Sequence, residues 1–220
     1  AAAKLVLAAA GIPQVASVAI RHGVGGEVRD EALGWPRFVK PANMGSSVGV
    51  SKVASPRELA AAMEQAFRYD EWVVVEEGVV AREVECAVLG GLEPAATMLG
   101  EIVPKAEFYD YDDKYSGVGA DLHVPADLPA AVHAEAQDLA VRAFQALRCD
   151  GLARVDFFYE EGGRGLLLNE VNTMPGFTPY SMYPRLWEHA GVSYRELIDR
   201  LVALALDRHD RRAAHTGRTR

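Results

Sequence analysis

The 220-residue sequence predicts an α+β fold with mainly antiparallel strands, in one large domain or two small ones sharing a core. Three observations predict it. LARVDFFYE and GLLLNEVN, separated by a Gly-rich turn, read as a β-hairpin. Ser55-Pro56-Arg57-Glu58 and Ser193-Tyr194-Arg195-Glu196 are capping boxes that open helices. Between them strands and helices mix without a regular βαβ alternation, which excludes a simple parallel winding. No complete dinucleotide-binding unit is present, and GSSVGV lacks the lysine context of a phosphate-binding P-loop.

From the N-terminus, AAAKLVLAAAG reads as an Ala-rich helix stopped by Gly11 and Pro13. Polar RHGVGGEVRDE connects it to RFVKPANMGSSVGVSKV, which reads strand, loop, strand. The first capping box, with proline at the first helical position, predicts a helix to about Tyr69. EWVVVEE predicts a short buried strand, REVECAVLG a strand with one wet face, and TMLGEIV a further strand. Residues 104–124 have no helical period and are crowded with Tyr, Asp and Gly; loops of that length are usually functional or disordered. Val132, Ala136, Leu139, Ala140, Ala143 and Leu147 keep helical spacing between Pro129 and Cys149. The second capping box predicts a helix to about Asp207, and the basic stretch after it, 209–220, is expected to be disordered.

Half of the residues are apolar and the net charge is −8, so the overall balance favours neither nucleic acid nor an anionic membrane. No apolar run reaches the ~18–20 residues that span a bilayer. The opening segment lacks a secretory cleavage pattern. Cys86 and Cys149 lie far apart and form neither a metal-ligand nor a redox pair, as expected for free thiols in a reducing cytoplasm.

Four segments carry chemistry. In the hairpin, alternation puts Arg154, Asp156 and Phe158 on one face and Leu168, Glu170 and Asn172 on one face of the partner strand. A turn centred near Gly163 sets Asp156 opposite Glu170 and Arg154 opposite Asn172. Facing carboxylates only ~4.5–5.5 Å apart repel, and a hard cation such as magnesium removes the conflict. A solvated polar face explains the same residues without a metal. Lys40 ends a strand before a loop of glycine, Ser46 and Ser47, suited to an anion or to a plain hairpin. Glu76 and Glu77 end an apolar strand and Glu83 follows a short loop, suited to a nucleoside or simply to solvation of a strand end. Lys114 and Tyr115, in EFYDYDDKYSG, belong to a covering lid or a mobile surface loop.

Together FVKPANMGSSVGVSKV, VVVEEGVVAREVECAVLG, EFYDYDDKYSG, ARVDFF and LNEVNTMPGFTPYSMYP stand in the order and spacing of D-alanine–D-alanine ligases. The sequence resembles that family, within the ATP-grasp superfamily, from AAAKLVLAAAGIP to near Asp207. The resemblance implies a central unit over 1–76 and a C-terminal catalytic unit over 77–208, gripping ATP between their sheets. Lys40 resembles the lysine that contacts phosphate, and Lys114 the loop lysine that does the same. Glu76 and the backbone of Glu77 and Val79 would face adenine, Glu83 would hold ribose, and Phe108 and Phe158 would touch the base. Asp156, Glu170 and Asn172 match ligands of two magnesium ions, with manganese able to substitute. Arg154 and the backbone N–H of Gly176 would stabilise an oxyanion, and Ser46 with Tyr115 would orient substrate and loop. Ser181 and Met182 would line the pocket for the second substrate's carboxylate.

The implied reaction phosphorylates one D-alanine carboxylate with ATP, and the amine of a second D-alanine then attacks the acyl phosphate. Small molecules are the expected partners, with no nucleic acid or membrane, in a cytoplasmic enzyme that is a homodimer at full length. The family also carries an N-terminal domain and a second ATP-contacting lysine ahead of its first matching helix. Neither is matched here, so the expectation for this chain is ATP binding with little or no turnover. Two rival readings are a D-alanine–D-lactate ligase and a nucleotide-binding module without catalysis. The tyrosine-rich loop favours an amine acceptor over the first, and Arg154 beside all three metal ligands argues against the second.

Overall fold

The computed structural model describes residues 1–24, 33–104 and 120–215, and these place ten strands in two sheets. The first sheet joins β1 (Ser17–Arg21), β2 (Arg37–Pro41), β3 (Ser51–Val53) and β4 (Trp72–Glu77) in the order β1-β4-β2-β3, antiparallel throughout. Val39, Val53, Val73 and Val75 alternate onto one face and pack under Leu59, Ala62 and Ala66 of α2 (Pro56–Ala66). The expected serine N-cap forms there, with the glutamate of the box reaching one residue ahead of the cap. Ser55 accepts from the Glu58 amide, and the Glu58 carboxylate accepts from the Ala54 amide at 2.9 Å.

The second sheet holds β5 (Arg82–Gly90), β7 (Gly100–Pro104), β8 (Ala120–His123), β9 (Gly151–Glu160) and β10 (Gly165–Asn172) in the order β10-β9-β5-β7-β8, with β6 (Ala95–Ala96) beside β5. One face packs Val84, Cys86, Val155, Phe157 and Leu168 against α3 (Ala130–Ala146) and against Leu7 of α1 (Ala2–Ala9). On the other face, α4 (Met182–His189) and α5 (Tyr194–Ala213) cover Ala87, Leu89 and Leu152. Between α1 and β1 the chain runs along the edge of the second sheet, where the Leu168 amide donates to the Pro13 carbonyl at 2.8 Å. The segment after α1 thus ties the two sheets together.

Three expectations change. β5 is not half wet: from Val84 onward it is buried on both faces, because it is an inner strand with α3 on one side and α4 on the other. The last helix runs past Asp207 to Ala213, so 209–213 are helical rather than disordered, and 216–220 lie outside the described residues. Arg211 bonds Asp207 one turn back at 2.8 Å, and Arg208 and Arg211 both reach Asp150. β1 and α4 carry no signal the sequence reading used, since the first is a short edge strand and the second an eight-residue helix with an internal proline.

Burial pushes the Cys86 thiol up to about 12, and Cys149, half-buried, is shifted in the same direction for the same reason. A thiol-reactive dye is expected to label native protein at Cys149 alone, with Cys86 joining only on unfolding. Two equivalents reacting in the native state would contradict the buried placement.

Candidate functional site

The hairpin has the expected register, with Asp156 opposite Glu170 and Arg154 opposite Asn172. On its other side β9 pairs with β5, which sets Glu85 opposite Asp156 and Glu83 opposite Phe158. Residues directly across an antiparallel ladder share a face. Glu83, Glu85, Arg154, Asp156, Phe158, Glu170 and Asn172 therefore line one continuous face, beyond the part covered by α4. Leu168 does not join them. A β-bulge between Leu168 and Glu170 inserts Asn169 and breaks the alternation, so Leu168 turns into the core while Glu170 faces the site.

Arg154 grips Asp156 with two parallel bonds of 2.8 Å, and its Nε lies 3.1 Å from Glu85, which is only 5% exposed. Asn172 donates from Nδ2 to Asp156 at 3.0 Å and to Glu170 at 2.9 Å. Burial pushes the Asp156 carboxyl up to about 6, against the pull of Arg154 and with a further push from Glu170. Burial, then the Asp156 charge, also raises Glu85 well above the ordinary range. Three carboxylates thus surround one guanidinium, an excess of negative charge that suits a hard divalent cation. Among the described residues no group of three His, Cys, Asp or Glu is arranged to cage an ion alone. The Asp156–Glu170 pair is instead two carboxylates on an open face, a donor set of the kind that can take a hard cation only together with further ligands.

The first sheet answers with positive charge. Lys40 on β2 and Lys4 on α1 reach the two oxygens of Glu76 at 2.6 and 2.7 Å, and Glu76 is 3% exposed. Lys40 also donates to Asn169 Oδ1 at 3.2 Å, across to the second sheet. Both Glu76 oxygens are therefore taken by lysines. Lys4, inside the Ala-rich helix α1, joins this cluster although it is not among the expected site residues. Its signal was there, since it is the sole charged residue among the first twenty. Glu77 turns elsewhere: its Oε1 accepts from the Ala16 amide and from Arg164 of the hairpin turn, each at 2.7 Å. That pairing accounts for an acidic side chain here.

The loop after β2 is held in an unusual shape. Ser46 and Ser47 have φ of 54° and 60°, left-handed conformations that cost non-glycine residues about 1–2 kcal/mol each. Asn43 anchors the loop through two bonds to Asp70, of 2.7 and 2.8 Å. At Gly49 a Cβ would sit 2.8 Å from the Tyr69 ring and 2.9 Å from Pro41, so the loop admits only glycine there.

A family model described as D-ala D-ala ligase C-terminus matches residues 6–203. The chain belongs to this ligase family. It is 55% identical over 180 residues to the D-alanine–D-alanine ligase of Bacillus pumilus, covering 82% of this chain and 50% of that protein. The solved D-alanine–D-alanine ligase of Coxiella burnetii superposes with a TM-score of 0.85 at 38% identity, over 96% of this chain and 57% of that one. The VanG D-Ala:D-Ser ligase of Enterococcus faecalis gives 0.79 at 38% identity, over 92% and 60%. The chain spans about half the length of the curated relatives it matches.

Of the residues the ligase resemblance singles out, the structure gathers Lys40, Glu76, Glu83, Arg154, Asp156, Phe158, Glu170 and Asn172 on facing sides of the two sheets. Val79 lies in the connection that joins them. Gly176 abuts Ser181, whose Oγ would lie 3.0 Å from an added Cβ and accepts from the Thr178 amide at 3.1 Å. Met182 is 4% exposed with its sulfur against Gly100, so its side chain serves packing and only its backbone is left to meet a ligand. Phe108, Lys114 and Tyr115 lie outside the described residues.

Proposed function

We propose that this chain is the ATP-binding and catalytic portion of an enzyme that joins two D-alanines through a D-alanyl phosphate. One observation carries the reading: Lys40 of the first sheet bonds Asn169, the residue before Glu170, and so brings an ammonium of one sheet to the strand of the other that carries the Asp156–Glu170 pair. That juxtaposition suits a polyphosphate bound with a divalent cation. Asp156, Glu170 and Asn172 would hold magnesium, which when bound neutralises phosphate charge during transfer. Lys40 binds and orients the phosphate chain, while Phe158 and the 77–79 connection offer the base an apolar face and backbone groups. Arg154, with the Gly176 amide, waits for the oxyanion that forms when the second amine attacks. Ser46 and Ser181 position the two amino acids, and the Lys114–Tyr115 loop excludes water from the acyl phosphate.

The division into 1–76 and 77–208 is supported by the partition of strands between two sheets, although α1 packs on the second core. The two free thiols suit a cytoplasmic enzyme, and a homodimer is the assembly proposed for the full-length form. The test is magnesium-dependent ATP binding by the chain, followed by D-alanine-dependent phosphate release from the chain and from any longer form encoded with it. D-Alanine, D-serine and D-lactate are offered as second substrates, the D-serine arm prompted by the match to VanG. Magnesium-dependent ATP binding with D-alanine-dependent phosphate release is expected, at little or no rate from the chain alone. ATP binding with no such release from either form would leave a nucleotide-binding module instead.

A further inference from the structure

Asn169 has no assigned part in the reaction, yet it occupies the one irregular position of the hairpin. As the extra residue of the bulge, it sits beside Glu170 and reaches the first sheet, where its Oδ1 accepts from Lys40 Nζ at 3.2 Å. An ammonium has three N–H donors in a tetrahedral array. One of those of Lys40 is committed to Glu76 at 2.6 Å and a second to Asn169. Among the described residues the third has no partner. With one anchor a lysine swings on four flexible bonds; with two anchors, on separate sheets, the direction of its remaining N–H is set.

The chemistry of the second anchor matters as well. Lys4 and Lys40 share the single carboxylate of Glu76, so this cluster keeps one surplus positive charge. An amide oxygen holds the ammonium without cancelling that charge, whereas a carboxylate in its place would. We propose that Asn169 is a positioning residue that aims the Lys40 ammonium at the phosphate chain of a nucleoside triphosphate, and so sets the preference for triphosphate over nucleoside. The proposal rests on the ATP-binding reading of the site.

The experiment measures binding of ATP with magnesium by calorimetry, and of adenosine by ligand-observed NMR, to the 220-residue chain. Asn169→Ala removes the anchor and is expected to weaken ATP about 5-fold, the worth of one hydrogen bond, leaving adenosine within about twofold. Asn169→Asp keeps an acceptor but cancels the charge, and is expected to weaken ATP about 10-fold or more, again sparing adenosine. In a Lys40→Met background, Asn169→Ala is expected to have no further effect on ATP. Equal losses for ATP and adenosine, in either folded variant, would show that Asn169 only joins the sheets and would overturn the proposal. Unchanged ATP affinity in both variants would overturn it too. Failure of the wild-type chain to bind ATP is a different result, because it removes the functional reading on which the proposal stands.

Discussion

Arg154→Ala is expected to lower the melting temperature by about 10 °C and, in a longer form that turns over, to abolish D-alanine-dependent phosphate release. The guanidinium is 22% exposed and holds Asp156 by two bonds and Glu85 by a third contact, with Glu170 close behind. Removing one partner of a buried ion pair costs about 3–5 kcal/mol, since the remaining charges lose their compensation. In a chain of this size each kcal/mol moves the midpoint by ~2–4 °C. The structure makes Arg154 part of the scaffold as well. Two readouts separate the roles. Magnesium is expected to raise the midpoint of the variant more than that of wild type, because a divalent cation restores charge beside Asp156. Phosphate release, measured well below the midpoint, is expected to stay absent even then. An unchanged midpoint would show that the Arg154 ion pairs contribute nothing, and recovered turnover would remove Arg154 from the chemistry.

Glu76→Gln tests the opposite side of the cleft. The carboxylate lies between Lys4 and Lys40, and its loss leaves two ammonium groups facing each other in a buried place. A destabilisation of about 3–5 kcal/mol at neutral pH is expected. Burial by itself would raise this carboxyl, but Lys40 and then Lys4 outweigh it and hold it below its ordinary value of 4.5. A folded-state value below the unfolded one means that the stabilisation is fully present above 4.5 and drains away as the pH falls through the lower, folded value. Denaturant unfolding of wild type and variant is therefore expected to show a wide gap at neutral pH that narrows on acidification below 4.5. If Glu76 served only as a contact for adenine, the variant would lose nucleotide affinity and keep its stability at every pH. That outcome would sink the hub role.

Much of this site could be read from residues near one another in sequence. A count outward from near Gly163 gives the Asp156–Glu170 register, which the folded hairpin reaches through a turn pairing Glu160 with Gly165 and a bulge at Asn169; the two serine N-caps follow from a serine three positions ahead of a glutamate. Ligase membership was legible as well, because motifs in fixed order identify a family before any contact is known. The loop around Ser46 was recognised from glycine and serine, although its left-handed backbone was not.

Local pattern could not supply the partners of the two lysines. Lys4 meets Glu76 and Lys40 meets Asn169 from elements far apart in the chain, the latter over 129 positions. Period-two alternation placed Leu168 beside Glu170, and a single inserted residue reversed it; a bulge answers to the neighbouring strands and to the core beneath. β5 read as half wet because its own residues do not reveal that α3 and α4 close over both its faces. The hairpin and its paired carboxylates are thus written in contiguous sequence, where turn geometry and alternation act over a few residues. Whether Glu85 joins Asp156 at one arginine, and Glu76 meets two lysines, was settled by which surfaces the folded chain buries together, because a buried charge must find its counter-charge wherever packing provides one.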